Sequence, residues 1–275
     1  MSLSYTAWRN ENKEILGTFQ ARKIHMLYTG GKDSSVILLF LSMAGKEFGF
    51  EFETSTALFP RQVFTDVDVH RLDKYWRARE VNVQWHSIDS SDAILEDARE
   101  ASGNPCHACH QVKRGFLFQR LAEISQIHKD IVVILSFNLW DLVSYSIEYL
   151  LGGIFRSDDW VPAGNGKSAE QRFLETSQRF YPYITLRDGL SIYKPLLKYN
   201  DQDIRKVIEE EGIPVSTVEC PYKYYTPKRT LFKYYDQFNI RFDYDKVVEF
   251  VKGTLKMNDL SYFENMGMID FAKVL

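Results

Sequence analysis

The chain has 275 residues, of which 45% are hydrophobic, and carries a formal net charge of −3. This length fits one large α/β domain or one domain with a small appendage, and the composition is sufficient for a sizeable buried core. Because the charge is slightly negative, an RNA partner would require a local basic patch. No stretch approaches the roughly 20 apolar residues of a membrane span, and the first residues lack the apolar region of a signal peptide. We expect a soluble, cytoplasmic protein without a membrane partner.

Predicted strands and helices alternate along the chain. Apolar runs predict five strands, at residues 23–29, 50–59, 82–88, 130–137 and 189–197. Helical periodicity and capping residues predict helices at 32–48, 66–81, 90–102, 111–128, 139–153 and 200–212. This alternation is typical of a Rossmann-like α/β fold, with a doubly wound, five-stranded parallel sheet.

Two segments depart from the alternating pattern. Residues from about 155 to 188 are polar and contain glycine, which predicts a mobile insertion in the α/β domain. Beyond Cys220 the sequence is aromatic and helical. We therefore predict an α/β domain over 1–220 and a helical C-terminal extension over 221–275.

A glycine pair joins the first predicted strand to the first predicted helix, in the string Thr-Gly-Gly-Lys-Asp-Ser-Ser at 29–35. Such a turn presents backbone N–H groups and a helix N-terminus to one point at the carboxyl ends of the strands, where an anion binds. The string is neither a Walker A loop nor the G-x-G-x-x-G motif. By shape alone, a tight turn with Ser and Asp caps is the alternative that needs no ligand.

The same string resembles the [ST]-G-G-x-D-S signature of the PP-loop ATP pyrophosphatases, the adenine nucleotide alpha hydrolases of the HUP fold class. The resemblance implies that Asp33 helps to position Mg²⁺ or the loop, and that Lys32, at the variable position, adds a cation suited to polyphosphate. It further implies that the β- and γ-phosphates of ATP are held by Thr29, Gly30, Gly31, Ser34 and Ser35. We expect the adenine to lie at the end of the second strand, near Ala57, Leu58 and Phe59.

Further segments resemble the TtcA/TtuA-type tRNA-thiolation enzymes of this superfamily, and the likeness extends over about residues 22–235. After the fourth strand, Asn138 and Asp141 match that group's pattern, which implies nucleotide binding by Asn138 and a catalytic role for Asp141. The alternative for Asp141 is a carboxylate that stabilises the first turn of its helix. The chain departs from the pattern where Ser136, Phe137 and Trp140 replace Gly, His and Asp, and where Lys194 stands for the usual Arg.

Cys106, Cys109 and Cys220 are the only cysteines, and they indicate a thiol or metal site rather than a disulfide framework. All three fall on positions where the thiolating enzymes ligate a [4Fe–4S] cluster, which implies a metal-binding and catalytic role for each. Three thiolates leave one iron open to take an exogenous sulfide as a nucleophile. We expect the three sulfurs to converge beside the glycine turn, close enough to share one metal centre. The alternatives are a zinc site that includes His107 or His110, a disulfide or persulfide relay between Cys109 and Cys220, and three thiols without a function.

A basic and aromatic run at 222–235 contains Lys223, Lys228, Arg229 and Lys233 among tyrosines and phenylalanines. It fits an RNA or phosphate contact, and an amphipathic helix that packs its aromatic side chains inward fits equally well.

The resemblance implies an ATP-dependent sulfurtransferase that adenylates a nucleobase carbonyl oxygen and replaces this oxygen with sulfur. Its substrate is tRNA or, alternatively, a free nucleobase or nucleotide; a sulfur donor is a required partner, and a homodimer is left open. An amidotransferase or ligase with zinc-bound or non-functional cysteines is a second hypothesis. A nucleotide-binding protein without turnover is the third.

Overall fold

The computed structural model describes residues 3–101, 103–155 and 168–274. Six strands form one sheet in this part of the chain: β1 (Lys23–Leu27), β2 (Phe52–Leu58), β3 (Val83–Ser87), β4 (Ile131–Ile134), β5 (Tyr183–Thr185) and β6 (Leu190–Tyr193). The helices of the first half are α1 (Tyr5–Gly17), α2 (Lys32–Phe48), α3 (Asp66–Arg77), α4 (Ala93–Glu100), α5 (Pro105–Ser125) and α6 (Leu139–Tyr149). Those of the second half are α7 (Ala169–Thr176), α8 (Asp201–Glu210), α9 (Pro227–Gln237), α10 (Tyr244–Thr254), α11 (Leu260–Glu264) and α12 (Met268–Val274).

The strand order is β3-β2-β1-β4-β6-β5. Strand β1 lies at the centre and pairs in parallel with β2, where Ile24 is opposite Phe52, and with β4, where Ile24 is opposite Val132. The chain therefore winds outward from β1 in one direction and returns across the sheet to β4. In doubly wound sheets the crevice at such a reversal is the usual ligand site.

The sheet contains one strand more than the predicted five. The additional strand, β5, is antiparallel to β6, with Ile184 opposite Ile192. It has three residues at the edge of the sheet, which is too short for a period-two pattern to be recognised. It also lies within the predicted insertion, of which 156–167 fall outside the described residues, while 168–188 contain α7, a 3₁₀ turn at Ser177–Phe180, and β5.

Both faces of the sheet are covered, as the continuous apolar strand runs predict. On one face a buried cluster joins α1, α2 and α8 to the sheet through Trp8, Phe40 and Ile204. On the other face α5 packs through Leu121 beside the C-terminal helices, which contribute Phe271. No helix in the described ranges is both long and apolar enough to cross a membrane.

The cysteine helix α5 begins six residues before its predicted start at 111. Asn104 is its N-cap and accepts a hydrogen bond from the Cys106 N–H at 2.9 Å, while Pro105 occupies the first turn. Asn at the N-cap and Pro just inside the helix are favoured at this boundary. The sequence therefore places Cys106 and Cys109 in the first turns of α5 rather than in the loop before it.

Candidate functional site

The candidate site lies at the carboxyl edge of the sheet, where the segments after β1, β2 and β4 meet. The segment after β1, residues 29–35, is referred to below as the phosphate loop. The segment that leads to Cys220 crosses this loop, since the Ser216 N–H donates to the Gly30 carbonyl at 2.7 Å. Asp68 at the start of α3 holds this crossing segment by accepting from the Ser216 hydroxyl at 2.9 Å and from the Thr217 N–H at 3.0 Å.

Short-range hydrogen bonds hold the phosphate loop in shape. The Ser34 hydroxyl lies 3.0 Å from Thr29 Oγ1 and donates to the Gly31 carbonyl at 3.0 Å. Both Ser34 and Ser35 are fully buried, and Ser35 faces the core, where its hydroxyl lies 3.4 Å from the Tyr28 hydroxyl. The two buried serines therefore stabilise the loop from its core side, whereas Thr29 is exposed to solvent.

The two loop glycines differ in what they require. Gly30 has φ +70°, a left-handed conformation that favours glycine. Gly31 has φ −84° and ψ 165°, which any residue adopts, and a Cβ there would meet Thr29 Oγ1 at an ordinary contact distance of 3.5 Å. Gly31 is also the N-cap of α2 and provides no side chain for the N–H groups of the first turn. The fold itself therefore does not require glycine at 31, and the first N–H groups of α2 are free of a side-chain cap.

A charged network adjoins the loop. The Lys32 ammonium lies 2.8 and 2.9 Å from the two Asp33 carboxylate oxygens and also pairs with Asp201 at the start of α8. The Asn138 side-chain amide donates to Asp33 at 2.9 Å and to Asp201 at 3.3 Å. Elements that follow β1, β4 and β6 thus converge on one cation and two carboxylates.

Burial and charge act in opposite directions on this network. Burial tends to raise the pKa of Asp33, but the Lys32 charge and the bonds from Lys32 and Asn138 prevail, so the pKa of Asp33 lies below its usual value. Burial likewise opposes the charged form of Lys32, yet Asp33 and Asp201 hold the pKa of Lys32 above its usual value. The pKa of Asp201 is raised, because burial prevails over the attraction of Lys32.

Asp141 has two partners, one on each carboxylate oxygen. Its Oδ2 accepts from the Asn138 N–H at 2.9 Å, and the Asn138 side chain accepts from the Asp141 N–H at 3.2 Å, which completes a capping box at the start of α6. Its Oδ1 pairs with the Lys228 ammonium on α9. Burial opposes the charge of Lys228, but Asp141 and the more distant Asp33 raise the pKa of this lysine. Asp141 therefore has the predicted helix-stabilising contact and also faces a cation beside the phosphate loop.

The fold brings the three cysteines together. They are free, partly buried thiols that pack around Phe59, Leu95 and Tyr222 in one small apolar cluster, to which Cys106, Cys109 and Cys220 all belong. The Cys106 thiol donates to the Tyr222 carbonyl at 3.2 Å. Burial raises the pKa of Cys106 and of Cys109, and the nearby Cys220 raises both further.

The expectation of a preformed three-sulfur centre is not met. In the ranges 3–101, 103–155 and 168–274, no three or more His, Cys, Asp or Glu side chains are arranged to hold a metal ion. The three thiols pack in one cluster, but the Cys106 thiol is hydrogen-bonded to the Tyr222 carbonyl. The donor set of three thiols still suits iron or zinc, because metal binding removes their protons and offsets the desolvation that raises their pKa.

The first turn of α9 connects the loop network with the cysteine cluster. Lys228 pairs with Asp141, and the charge of the next residue, Arg229, opposes the rise in the pKa of Cys106. Desolvation and the charges of Lys113, Arg179 and Lys228 lower the pKa of His110, one residue after Cys109, to about 4. Two consecutive cations thus connect the loop network with the cysteine cluster, and the edge of the sheet beside both is called the crevice below.

The residues predicted to contact adenine differ in their exposure. Phe59 is fully buried among the cysteines, whereas Ala57 and Leu58 at the end of β2 stay partly accessible, so the predicted adenine contact rests on those two. Trp140 is 1% exposed, and its ring packs against Phe232 and Tyr235 of α9 with centroids 5.4 and 5.3 Å away.

Lys194, which stands where the TtcA/TtuA-type pattern has arginine, is buried away from the loop. It donates to the Gln178 and Tyr181 carbonyls at 2.8 and 2.9 Å. Burial and the nearby Arg179 hold the pKa of Lys194 well below its usual range. In this chain the lysine therefore ties the turn before β5 to β6 rather than contacting the phosphate loop.

The sequence analysis did not assign Asp201, Lys228 or Arg229 to the site. Asp201 begins the helix after the last parallel strand, and its position at the carboxyl edge is the signal that points to it. Lys228 and Arg229 lie in the basic and aromatic run, where sequence alone does not distinguish residues facing the site from residues facing solvent.

No protein-family model matches the chain, and no curated protein matches it. Among solved structures, it is similar to U34-tRNA thiolase NcsA from Methanococcus maripaludis with its [4Fe-4S] cluster: the TM-score is 0.60 at 15% identity, over 93% of this chain and 81% of that one. It also matches NMN synthetase from Francisella tularensis, with TM-score 0.45 at 13% identity over 98% of this chain and 96% of that one. NAD+ synthetase from Burkholderia pseudomallei gives TM-score 0.46 at 13% identity, over 99% and 87% of the two chains. At 15% identity the likeness to NcsA concerns the fold alone, and the predicted α/β fold is confirmed, with a mostly parallel sheet of six strands rather than five.

Proposed function

We propose that this chain is a PP-loop enzyme, an ATP-dependent sulfurtransferase that adenylates a carbonyl oxygen of a nucleobase in tRNA and replaces this oxygen with sulfur. One observation carries the proposal: the segment that leads to Cys220 contacts the phosphate loop through the Ser216 N–H and the Gly30 carbonyl, and Cys220 packs in one cluster with Cys106 and Cys109. Activation of an oxygen by ATP and its replacement by sulfur require these two sites within reach of one carbon.

The phosphate loop binds the β- and γ-phosphates of ATP–Mg²⁺. Backbone N–H groups of Gly31 and the first turn of α2 point to this position, and the helix N-terminus favours an anion there. Lys32, which is paired with Asp33 and Asp201 in the ligand-free protein, exchanges carboxylate oxygens for phosphate oxygens as ATP binds. The carboxylates then face Mg²⁺, which prefers oxygen ligands.

In the first chemical step the nucleobase carbonyl oxygen attacks the α-phosphorus of ATP. An oxygen–phosphorus bond forms, the bond from the α-phosphorus to the bridging oxygen breaks, and pyrophosphate leaves. Lys228 lies beside Asp141 and within electrostatic range of Asp33, so its ammonium stabilises charge that develops near the α-phosphate. Asp141 acts as a positioning residue, because the capping box fixes its carboxylate at the start of α6.

In the second step a sulfide forms a bond to the activated carbon, the carbon–oxygen bond breaks, and AMP leaves with the former carbonyl oxygen. Cys106, Cys109 and Cys220 would hold a [4Fe–4S] cluster, which would supply the sulfide when bound. Phe59, Leu95 and Tyr222 surround the thiols with apolar side chains and limit the access of water. Limited water favours attack by sulfide over hydrolysis of the adenylated base.

The test is anaerobic purification followed by metal analysis and turnover. We expect about four irons per chain and, with ATP, Mg²⁺, sulfide and tRNA, release of AMP and pyrophosphate together with a thiolated nucleoside detected by mass spectrometry. Cys220→Ser should abolish thiolation while the protein still binds ATP, because Cys220 lies outside the phosphate loop.

Other outcomes support the other hypotheses. Bound zinc with incorporation of nitrogen instead of sulfur would indicate the amidotransferase or ligase. Absence of metal together with absence of AMP release would indicate a nucleotide-binding protein without turnover. Thiolation of a free nucleobase or nucleotide, but not of tRNA, would indicate that the substrate is a small molecule.

A further inference from the structure

The two sides of helix α9 differ in what they contact. Phe232 and Tyr235 face Trp140 of α6, and Tyr235 is 2% exposed. The other side carries aromatic and basic side chains in solvent, and together with two tyrosines that precede the helix it is called the α9 outer face: Tyr224, Tyr225, Arg229, Lys233, Tyr234 and Phe238. The basic and aromatic run thus packs some of its aromatic side chains inward and leaves other aromatic and basic side chains exposed.

The exposed aromatic rings are large and close to one another. Tyr224 is 68% exposed, Tyr225 41%, Tyr234 53% and Phe238 61%. The rings of Tyr234 and Phe238 lie 4.9 Å apart between centroids. A concentration of exposed aromatic surface in one short segment marks an interaction site more often than isolated exposed side chains do.

Cations alternate with these rings. Residues 222–238 contain four basic residues and one acidic residue, a formal charge of +3 in a chain whose total is −3. Arg229 and Lys233 are four residues apart and form one row on the helix, next to the row that contains Tyr234 and Phe238. This segment is the local basic patch that an RNA partner of a slightly acidic chain requires.

The α9 outer face continues into the candidate site. The Asn104 side chain at the start of α5 donates to the Tyr225 carbonyl at 3.1 Å. Arg229 lies near Cys106, and its neighbour Lys228 pairs with Asp141. A strand of nucleotides on this face therefore leads directly to the crevice where the carbonyl oxygen is replaced.

We propose that the α9 outer face binds unpaired nucleotides of the RNA substrate that flank the target base. This inference rests on the proposed function for its substrate class. Tyr234 and Phe238 stack on bases, while Arg229 and Lys233 contact phosphates. Alternation of rings and cations matches the alternation of bases and phosphates in single-stranded RNA, which an apolar protein partner does not require.

The test compares binding of a fluorescein-labelled tRNA transcript by anisotropy for the parent and for single variants. Stacking is worth about 1–3 kcal/mol per base, so Tyr234→Ala and Phe238→Ala should each weaken binding roughly 5- to 150-fold. Lys233→Gln should weaken it less and reduce the dependence of log K on log salt by about one. The matched control is Tyr262→Ala on α11, since Tyr262 is 47% exposed and also packs edge-on against its neighbour in the chain.

ATP binding and circular dichroism should be unchanged in every one of these variants, because the substituted side chains are exposed and lie outside the phosphate loop. If Tyr234→Ala and Phe238→Ala bind the transcript as Tyr262→Ala does, the inference is wrong even when the parent thiolates tRNA. If the parent binds the transcript through this face but forms no thiolated nucleoside, the inference holds and the proposed function fails. Binding of an apolar peptide or a lipid vesicle in place of RNA would overturn the assignment of the partner.

Discussion

Replacement of each loop glycine separately distinguishes a ligand-binding loop from an ordinary tight turn. Gly31→Thr introduces a β-branched residue where φ is −84° and where a Cβ would be in ordinary contact with Thr29. Gly31 is an N-cap, and threonine is about as favourable as glycine at that position. We therefore expect the free energy of unfolding to change by no more than about 0.5 kcal/mol.

The effect on ATP should be much larger. A side chain at 31 occupies the space from which a phosphate approaches the N–H groups of the first turn of α2. Hydrogen bonds to a charged group contribute about 1.5–3 kcal/mol each. Loss of one such bond weakens binding by roughly 10- to 150-fold, which isothermal titration of ATP–Mg²⁺ measures directly.

Gly30→Ala is the matched control, for which we expect the stability to change more than ATP binding. Its neighbours leave room for a methyl group, at 3.5 Å from Leu72 and Ser216, but its φ of +70° costs an L-residue about 1–2 kcal/mol of stability. Urea unfolding followed by circular dichroism measures this loss. If Gly31→Thr binds ATP–Mg²⁺ with the parent affinity while remaining folded, residues 29–35 do not hold the phosphates.

Three further predictions concern Asp141, Trp140 and His25. Asp141→Asn keeps an acceptor for the capping box but loses the buried charge opposite Lys228, so AMP formation should fall more than tenfold and the unfolding free energy should fall by as much as about 3–5 kcal/mol; unchanged AMP formation with a lower melting temperature would assign Asp141 to helix stability alone. Trp140→Asp introduces the residue of the TtcA/TtuA-type pattern but removes a buried ring, and should lower the unfolding free energy in urea by at least about 3–5 kcal/mol; a stable variant with higher activity would contradict this packing role. Burial lowers the pKa of His25 from 6.5 to about 4, so the unfolded state binds the proton first and stability is lost as the pH falls through this window, by about 3 kcal/mol in total. His25→Asn should lose this component of the pH dependence in urea titrations, whereas exposed His128→Asn should retain it, and equal pH dependence in the two variants would refute the assignment.

The parallel sheet and the phosphate loop were predictable because local sequence determines them. Continuous β-branched runs such as 130–137 suit strands that are buried on both faces. The glycine pair marks the turn before α2, where Gly30 has a left-handed conformation. Strand β5 was missed because three residues at a sheet edge carry no period and are held by pairing with β6.

The site was predictable only where residues adjoin a motif. Asn138 and Asp141 follow a strand within a recognisable segment, whereas Lys228 reaches Asp141 across 87 positions of sequence through the packing of α9 on α6. Lys194, which stands where the TtcA/TtuA-type pattern has arginine, lies buried against two backbone carbonyls. Which of several charged residues turns toward the crevice depends on long-range packing, and no local pattern encodes it.

The first turn of α9 has a thermodynamic consequence for the whole crevice. Lys228 and Arg229 belong to one helical turn, so a displacement that separates Lys228 from Asp141 also moves the charge beside Cys106. If the loop binds a nucleotide and the cysteines bind a metal, as proposed, this turn links the two affinities. Linkage is reciprocal: the factor by which a nucleotide on the loop changes metal affinity at the cysteines equals the factor by which the metal changes nucleotide affinity.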